Sequence, residues 1–209
     1  MSTRPKEILR VGILCACLVS AGIALAGDSG AKTSAVKAKK AHHKQQKKAH
    51  HKQQKKERRT HFQQQKKENK EFRQSTKDLQ DTDKMDATVQ HRDTQHQENK
   101  TFSQQQHSEN MAFLNESLAK NTKLTDTQKT DLTTFFESQY QENVSFRDKQ
   151  HSENIGYFKS VANDSTLTME QKKAKIKKYF TAQKANIKGY MQQQKSERKA
   201  KRNKCTADK

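Results

Sequence analysis

Large apolar residues are sparse and unevenly placed along this chain. Between Ala31 and Thr101 only Val36, Phe62, Phe72, Leu79, Met85 and Val89 interrupt a polar sequence, and from Phe102 onward they become several times denser. In the denser half Phe136, Tyr140 and Val144 follow at i, i+4 and i+8, and Ile155, Phe158 and Ala162 continue with similar spacing. Ile176, Tyr179, Phe180, Ile187, Tyr190 and Met191 make a second stripe, and Phe102, Phe113, Leu114 and Leu118 a thinner third. Three-and-four spacing is the helical period, so these stripes read as core or inter-helix seam. No run of alternating β-branched residues bounded by turns signals a strand. The only proline is Pro5, and after Gly30 the only glycines are Gly156 and Gly189. The remainder is rich in Lys, Gln, Glu and Ala, which form helices readily.

A short phrase is laid over this pattern: Gln-x-x-Glu-Asn-x-x-x-Phe, or a close variant. It recurs at Glu68–Phe72, Glu98–Phe102, Glu109–Phe113, Glu142–Phe146 and Glu153–Phe158. Within pairs the step is eleven residues, from 57 to 68, 98 to 109 and 142 to 153. Eleven residues are about three helical turns, so successive copies return to nearly the same face. The pairs recur at roughly 41 to 44 residues, the mark of an internally duplicated helical protein. Leu79-Gln80-Asp81-Thr82-Asp83, Leu124-Thr125-Asp126-Thr127-Gln128 and Leu167-Thr168-Met169-Glu170-Gln171 occupy equivalent places in the duplication. The last two follow turn-like Asn121-Thr122-Lys123 and Asn163-Asp164-Ser165-Thr166. Helices are therefore predicted over about 38–78, 83–120, 126–162 and 169–202. Short loops between long helices fold them back antiparallel. The expected fold is all-α, an elongated antiparallel hairpin bundle of three to four helices, about 50 Å long at 1.5 Å per residue, built on internal repeats of about 43 residues.

Export changes which residues enter that fold. Arg4, Lys6 and Arg10 precede the apolar run Val11–Leu25, and Ala24-Leu25-Ala26 is an A-x-A cleavage site before Gly27. The run falls short of the ~20 residues of a spanning helix. Residues 1–26 thus read as a cleaved signal peptide, which places the mature chain in the periplasm or outside the cell. Cys15 and Cys17 leave with it, so Cys205 is the only cysteine retained and no intrachain disulfide is expected. The organisation that follows is a basic low-complexity tract over 27–78, a helical repeat bundle over 79–204 and a polar tail over 205–209.

Charge adds a partner class. The chain carries 43 basic and 23 acidic residues, a net +20. From Lys37 to Arg73 fifteen Lys and Arg stand against three Glu, and residues 41–48 and 49–56 repeat Ala-His-His-Lys-Gln-Gln-Lys-Lys. Residues 31–78 can bury little surface, so a solvated helix or disorder is expected. Lys44, Lys47, Lys48, Lys52, Lys55, Lys56, Arg58 and Arg59 are the expected contacts to an anionic polymer or lipid surface, against the alternative of a solvated basic surface with no dedicated partner. Export makes nucleic acid the weakest partner, and no dedicated nucleic-acid site is expected. A second basic cluster runs from Lys195 to Lys204.

The remaining motifs carry little chemistry. His42, His43, His50, His51 and His61 have no accompanying Cys or carboxylate ligand set, and the neighbouring lysines repel cations, so no dedicated metal site is expected. His107-x-Glu109 and His151-x-Glu153 place their ligand types on diverging directions of a helix. No Gly-rich phosphate loop, nucleophile elbow or His-Glu-x-x-His motif is present. No catalytic residue, cofactor or enzymatic activity is expected. Thr125-x-x-Gln128 and Thr168-x-x-Gln171 each fit a capping box.

With their leading residues Leu124 and Leu167, these boxes read Leu-Thr-x-x-Gln twice, 43 residues apart, in an exported, basic, cysteine-poor helical chain. Over about 120–200 this combination resembles the Spy/CpxP group of periplasmic proteins, marked by paired motifs of this form. The resemblance implies a helical, often dimeric, cradle-shaped protein acting as an ATP-independent chaperone or stress sensor. On that reading the chain holds unfolded or partner proteins as a homo-oligomer. Phe135, Phe136, Phe146, Tyr157 and Tyr179 would touch the client where they are not buried. The other reading, of a different class, is a structural envelope protein whose tract 37–73 attaches to an anionic surface while the repeats act as spacer.

Overall fold

The computed structural model describes residues 30–207; the side chains of residues 30–40, Thr82, Arg202 and 205–207 lie outside it. The expected signal peptide, 1–26, is also outside the described residues. Four helices hold about 90% of what is described: α1 (Gly30–Ser75), α2 (Asp81–Ala119), α3 (Asp126–Ala162) and α4 (Met169–Ala207). Among the described residues there is no strand, and no helix is long and apolar enough to cross a membrane.

The helix ends are chemical. Thr125 Oγ1 accepts from the Gln128 N–H at 3.2 Å, and Gln128 Oε1 accepts from the Thr125 N–H at 3.0 Å. Thr168 and Gln171 repeat this at 3.3 and 2.8 Å. Both expected capping boxes are therefore formed, with α3 and α4 starting one residue after each threonine. Gln80, at the equivalent place before α2, makes no side-chain cap bond, and Asp81 and Asp83 supply negative charge to that first turn instead. The α1 end differs from the expected 78. Thr76 and Ser75 hydroxyls donate to the Phe72 carbonyl at 2.8 and 3.0 Å, which offers the backbone an alternative to the next helical turn. At the other extreme α4 continues through the expected tail to Ala207, because Lys195–Ala207 contains no helix breaker.

The described residues divide into two compact units at Asn69/Lys70. The first holds the basic tract, which is one uninterrupted helix. It is not wholly solvated, since Gln54 and Gln65 are buried. In the second, α2, α3 and α4 pack consecutively and antiparallel. Asn115 meets Thr133 near the α2–α3 turn, and His107–Glu137, His96–Asp148 and Asp93–His151 follow outward. Between α3 and α4 the rungs are Gln139–Glu197, Glu142–Gln194, Gln150–Gln183 and Tyr157–Tyr179.

The interior is more polar than the apolar stripes lead one to expect. Buried apolar side chains gather at two places: Leu118, Leu132 and Phe136 near the α2–α3 turn, and Val89, Phe158 and Val161 towards the opposite end of α3. Between them the buried positions are Ser103, Gln106, Asn110, Gln139 and Gln150, with Gln183 and Gln194 on α4. Met191, read as part of the α4 stripe, is 36% exposed.

Candidate functional site

The recurrent phrase turns out to be a packing device. Its leading glutamine is buried at Gln65, Gln106, Gln139 and Gln150. Its asparagine donates back to that glutamine's own carbonyl, Asn69 to Gln65 at 2.7 Å, Asn99 to Gln95 at 2.7 Å and Asn143 to Gln139 at 2.5 Å. Its aromatic residue reaches the neighbouring helix. Phe72 stacks on His91 at 4.1 Å, Phe146 on Tyr190 at 3.9 Å and Tyr157 on Tyr179 at 3.9 Å. The residue after the glutamine stacks too, His96 on His151 at 4.0 Å and His107 on Tyr140 at 3.7 Å. Each pair lies eleven residues from its counterpart on both helices: 96/151 becomes 107/140, and 146/190 becomes 157/179. The eleven-residue step therefore sets inter-helix register. Stacked rings of this kind contribute about 0.5–1.5 kcal/mol beyond their area.

The glutamines hold polar partners across the seam. Gln150 donates to Gln183 at 2.9 Å, and Gln183 donates to the Tyr179 hydroxyl at 2.8 Å. Gln139 donates to Glu197 at 3.1 Å and accepts from Arg198 at 3.1 Å, while Gln194 donates to Glu142 at 2.9 Å. Buried polar groups are tolerable only when bonded, so these cross-links fix which residues face each other. Arg92 lies over both Phe158 and Phe180, 5.1 and 4.8 Å from the ring centroids, and its burial lowers its pKa.

The titratable cluster sits between α2 and α3. His96 Nε2 donates to Asp148 Oδ1 at 2.9 Å, His151 Nε2 to Asp93 at 2.7 Å and His107 Nε2 to Glu137 at 2.7 Å. Desolvation pulls the His96 pKa down, and the His151 ring stacked upon it acts the same way, against the opposing pull of Asp148. Burial pushes the Asp148 carboxyl up, but hydrogen bonds from Lys100 and His96 outweigh it and leave the pKa below the usual carboxylate value. Glu137 is lowered by hydrogen bonds from Gln141 and His107. These pairs tie α2 to α3. An open groove of about 580 Å³ lies elsewhere, against Tyr157, Val161, Asp164, Lys175, Lys178 and Tyr179. Among the described residues no three His, Cys, Asp or Glu side chains are grouped to hold a metal ion.

The residues expected to bind partners separate into two sets. Lys44, Lys48, Lys52, Lys55, Lys56 and Arg59 are exposed along α1. Lys47 and Arg58 are half-buried, and desolvation lowers the Arg58 pKa. The expected client-binding aromatics are engaged within the bundle. Phe136 is buried, Phe135 lies under Lys201 Nζ at 5.8 Å and edge-on to Phe136, and Phe146, Tyr157 and Tyr179 form the inter-helix stacks. Leu124 and Leu167, which lead the capping motifs, are half-buried at the two turns. The glutamine rungs and the histidine–carboxylate pairs escape a reading that follows apolar periodicity. Their visible signal is Gln at positions 54, 65, 95, 106, 139, 150, 183 and 194, paired eleven apart.

Comparison with protein-family models, with curated proteins and with solved structures finds no match.

Proposed function

We propose that this chain is an exported, non-enzymatic helical scaffold of the cell envelope that attaches through its basic tract to anionic polymer or lipid. Its helical units of about 43 residues act as the spacer. The observation that carries this reading is the contrast between two sets of side chains. Phe146, Tyr157, Tyr179 and Tyr190 are spent on stacks between α3 and α4, whereas six of the eight tract cations are exposed on a continuous helix. Holding unfolded clients in the manner of the Spy/CpxP group needs free aromatic faces. Among the described residues the exposed large apolar side chains are Phe62, Leu79 and Met191, of which only Phe62 is aromatic. The Thr and Gln of the paired Leu-Thr-x-x-Gln motifs form capping bonds.

The test compares the mature chain with a variant in which Lys44, Lys47, Lys48, Lys52, Lys55, Lys56, Arg58 and Arg59 are all changed to Gln. Binding to an acidic polysaccharide and to phosphatidylglycerol vesicles should weaken at least tenfold, with the helix content of 84–202 unchanged. Unaltered affinity would refute attachment through the tract. Suppression of client aggregation that survives the eight changes would instead support the client-holding reading.

A further inference from the structure

Charge is segregated by helix. α2 carries seven acidic and three basic residues and α3 six and four, whereas α4 carries thirteen basic and two acidic. Six of the α4 lysines follow the eleven-residue step: Lys173, Lys184 and Lys195 form one row, and Lys177, Lys188 and Lys199 another, four residues on. At about 100° per residue the six fall within an arc of about 80°, and at 1.5 Å per residue they extend about 39 Å. The arc lies about 110° round the helix from the buried rungs Gln183 and Gln194. All six are exposed, and none forms an ion pair among the described residues. Thr181 and the exposed Met191 share the arc, and Glu170 stands at its N-terminal end, so beside the lysines it holds one apolar and one acidic side chain.

We propose that this lysine stripe is a second attachment surface, independent of the tract, and that its partner is an anionic lipid surface. A flat surface meets a straight helix only along a narrow arc over its whole length, which is how these lysines are distributed. They are all lysines, compact point charges without the forked geometry that reads individual carboxylates or phosphates. No aromatic side chain lies in the arc to stack on a nucleobase. With Met191 the single apolar side chain among the six lysines, attachment is mainly electrostatic and peripheral, and each lysine near an anionic leaflet strengthens it about fivefold.

The experiment uses the full mature chain with the eight tract cations changed to Gln, and vesicles of equal parts phosphatidylglycerol and phosphatidylcholine at low salt. This protein should sediment with the mixed vesicles and not with phosphatidylcholine alone. Lys173→Gln, Lys184→Gln and Lys195→Gln together should reduce binding at least tenfold. Lys175→Gln, Lys178→Gln and Lys204→Gln, which remove the same charge from α4 outside the stripe, should reduce it no more than about threefold. Equal losses in the two triple variants would show that only net charge matters and would overturn the stripe. So would failure of the tract-neutralised chain to bind anionic vesicles, a result that leaves tract attachment standing. Conversely, stripe-dependent binding with no effect of the tract changes would refute the tract and retain the stripe. Stripe-dependent binding to DNA without vesicle binding would overturn the lipid assignment. Circular dichroism on each variant confirms that the helices persist.

Discussion

At the scale of single residues the helix caps carry the most definite energies. Thr125→Ala and Thr168→Ala each remove a hydroxyl acceptor from an otherwise unpaired N–H, and each should cost about 1 kcal/mol in urea unfolding. An unchanged midpoint for both would contradict the boundaries of α3 and α4. The opposite change is available at α2, where Gln80 has extended φ and ψ of −59° and 154° but makes no cap bond. Gln80→Asp should stabilise by up to about 1 kcal/mol. His96 supplies a pH dependence. Its folded-state pKa is lowered, so below its ordinary value of about 6.5 the unfolded chain binds more protons than the folded one, and stability falls with acidification. The depressed Asp148 and Glu137 carboxyls contribute stability that is lost only at lower pH, below about 4.5. Melting temperature should therefore drop between pH 7.5 and 5.5, and His96→Gln should shrink that drop. A variant with the full wild-type drop would assign it to another group.

At the scale of elements the boundaries were legible in the sequence and the polar part of the seam was not. Two of the three breaks are written in side chains with one local job, Thr125 and Thr168, and both do it. The seam is built from residues that hydrophobic periodicity passes over, because glutamine is interior here only through partners on another helix. The Gln150–Gln183 bond shows the consequence. Gln150→Leu alone should destabilise by about 1–3 kcal/mol, since it strands the side-chain carbonyl oxygen of buried Gln183 on α4. Gln150→Leu with Gln183→Leu should recover much of that loss, because apolar replacement of both partners is close to neutral. A double variant weaker than the sum of the two singles would show that the rung contributes more than its own pair. Aromatic periodicity was visible: Phe136 and Phe158 are buried, and Tyr179 and Tyr190 stack across the inter-helix seam, as their spacing predicts.

At the scale of the whole molecule the same eleven-residue step organises two different things, polar rungs that hold the helices in register and lysine rows on the solvent side of α4. The proposed attachment rests on charge that is not consumed by the fold. The most direct measurement of that claim is the salt dependence of binding to phosphatidylglycerol vesicles by the mature chain. Attachment that releases counterions weakens linearly on logarithmic axes, with a slope set by the number of contacts, and the Debye length of about 8 Å at physiological salt confines each lysine's reach to near contact. The account predicts a steep slope that becomes shallower when the eight tract cations are changed to Gln. Affinity that hardly varies between low and high salt would contradict it.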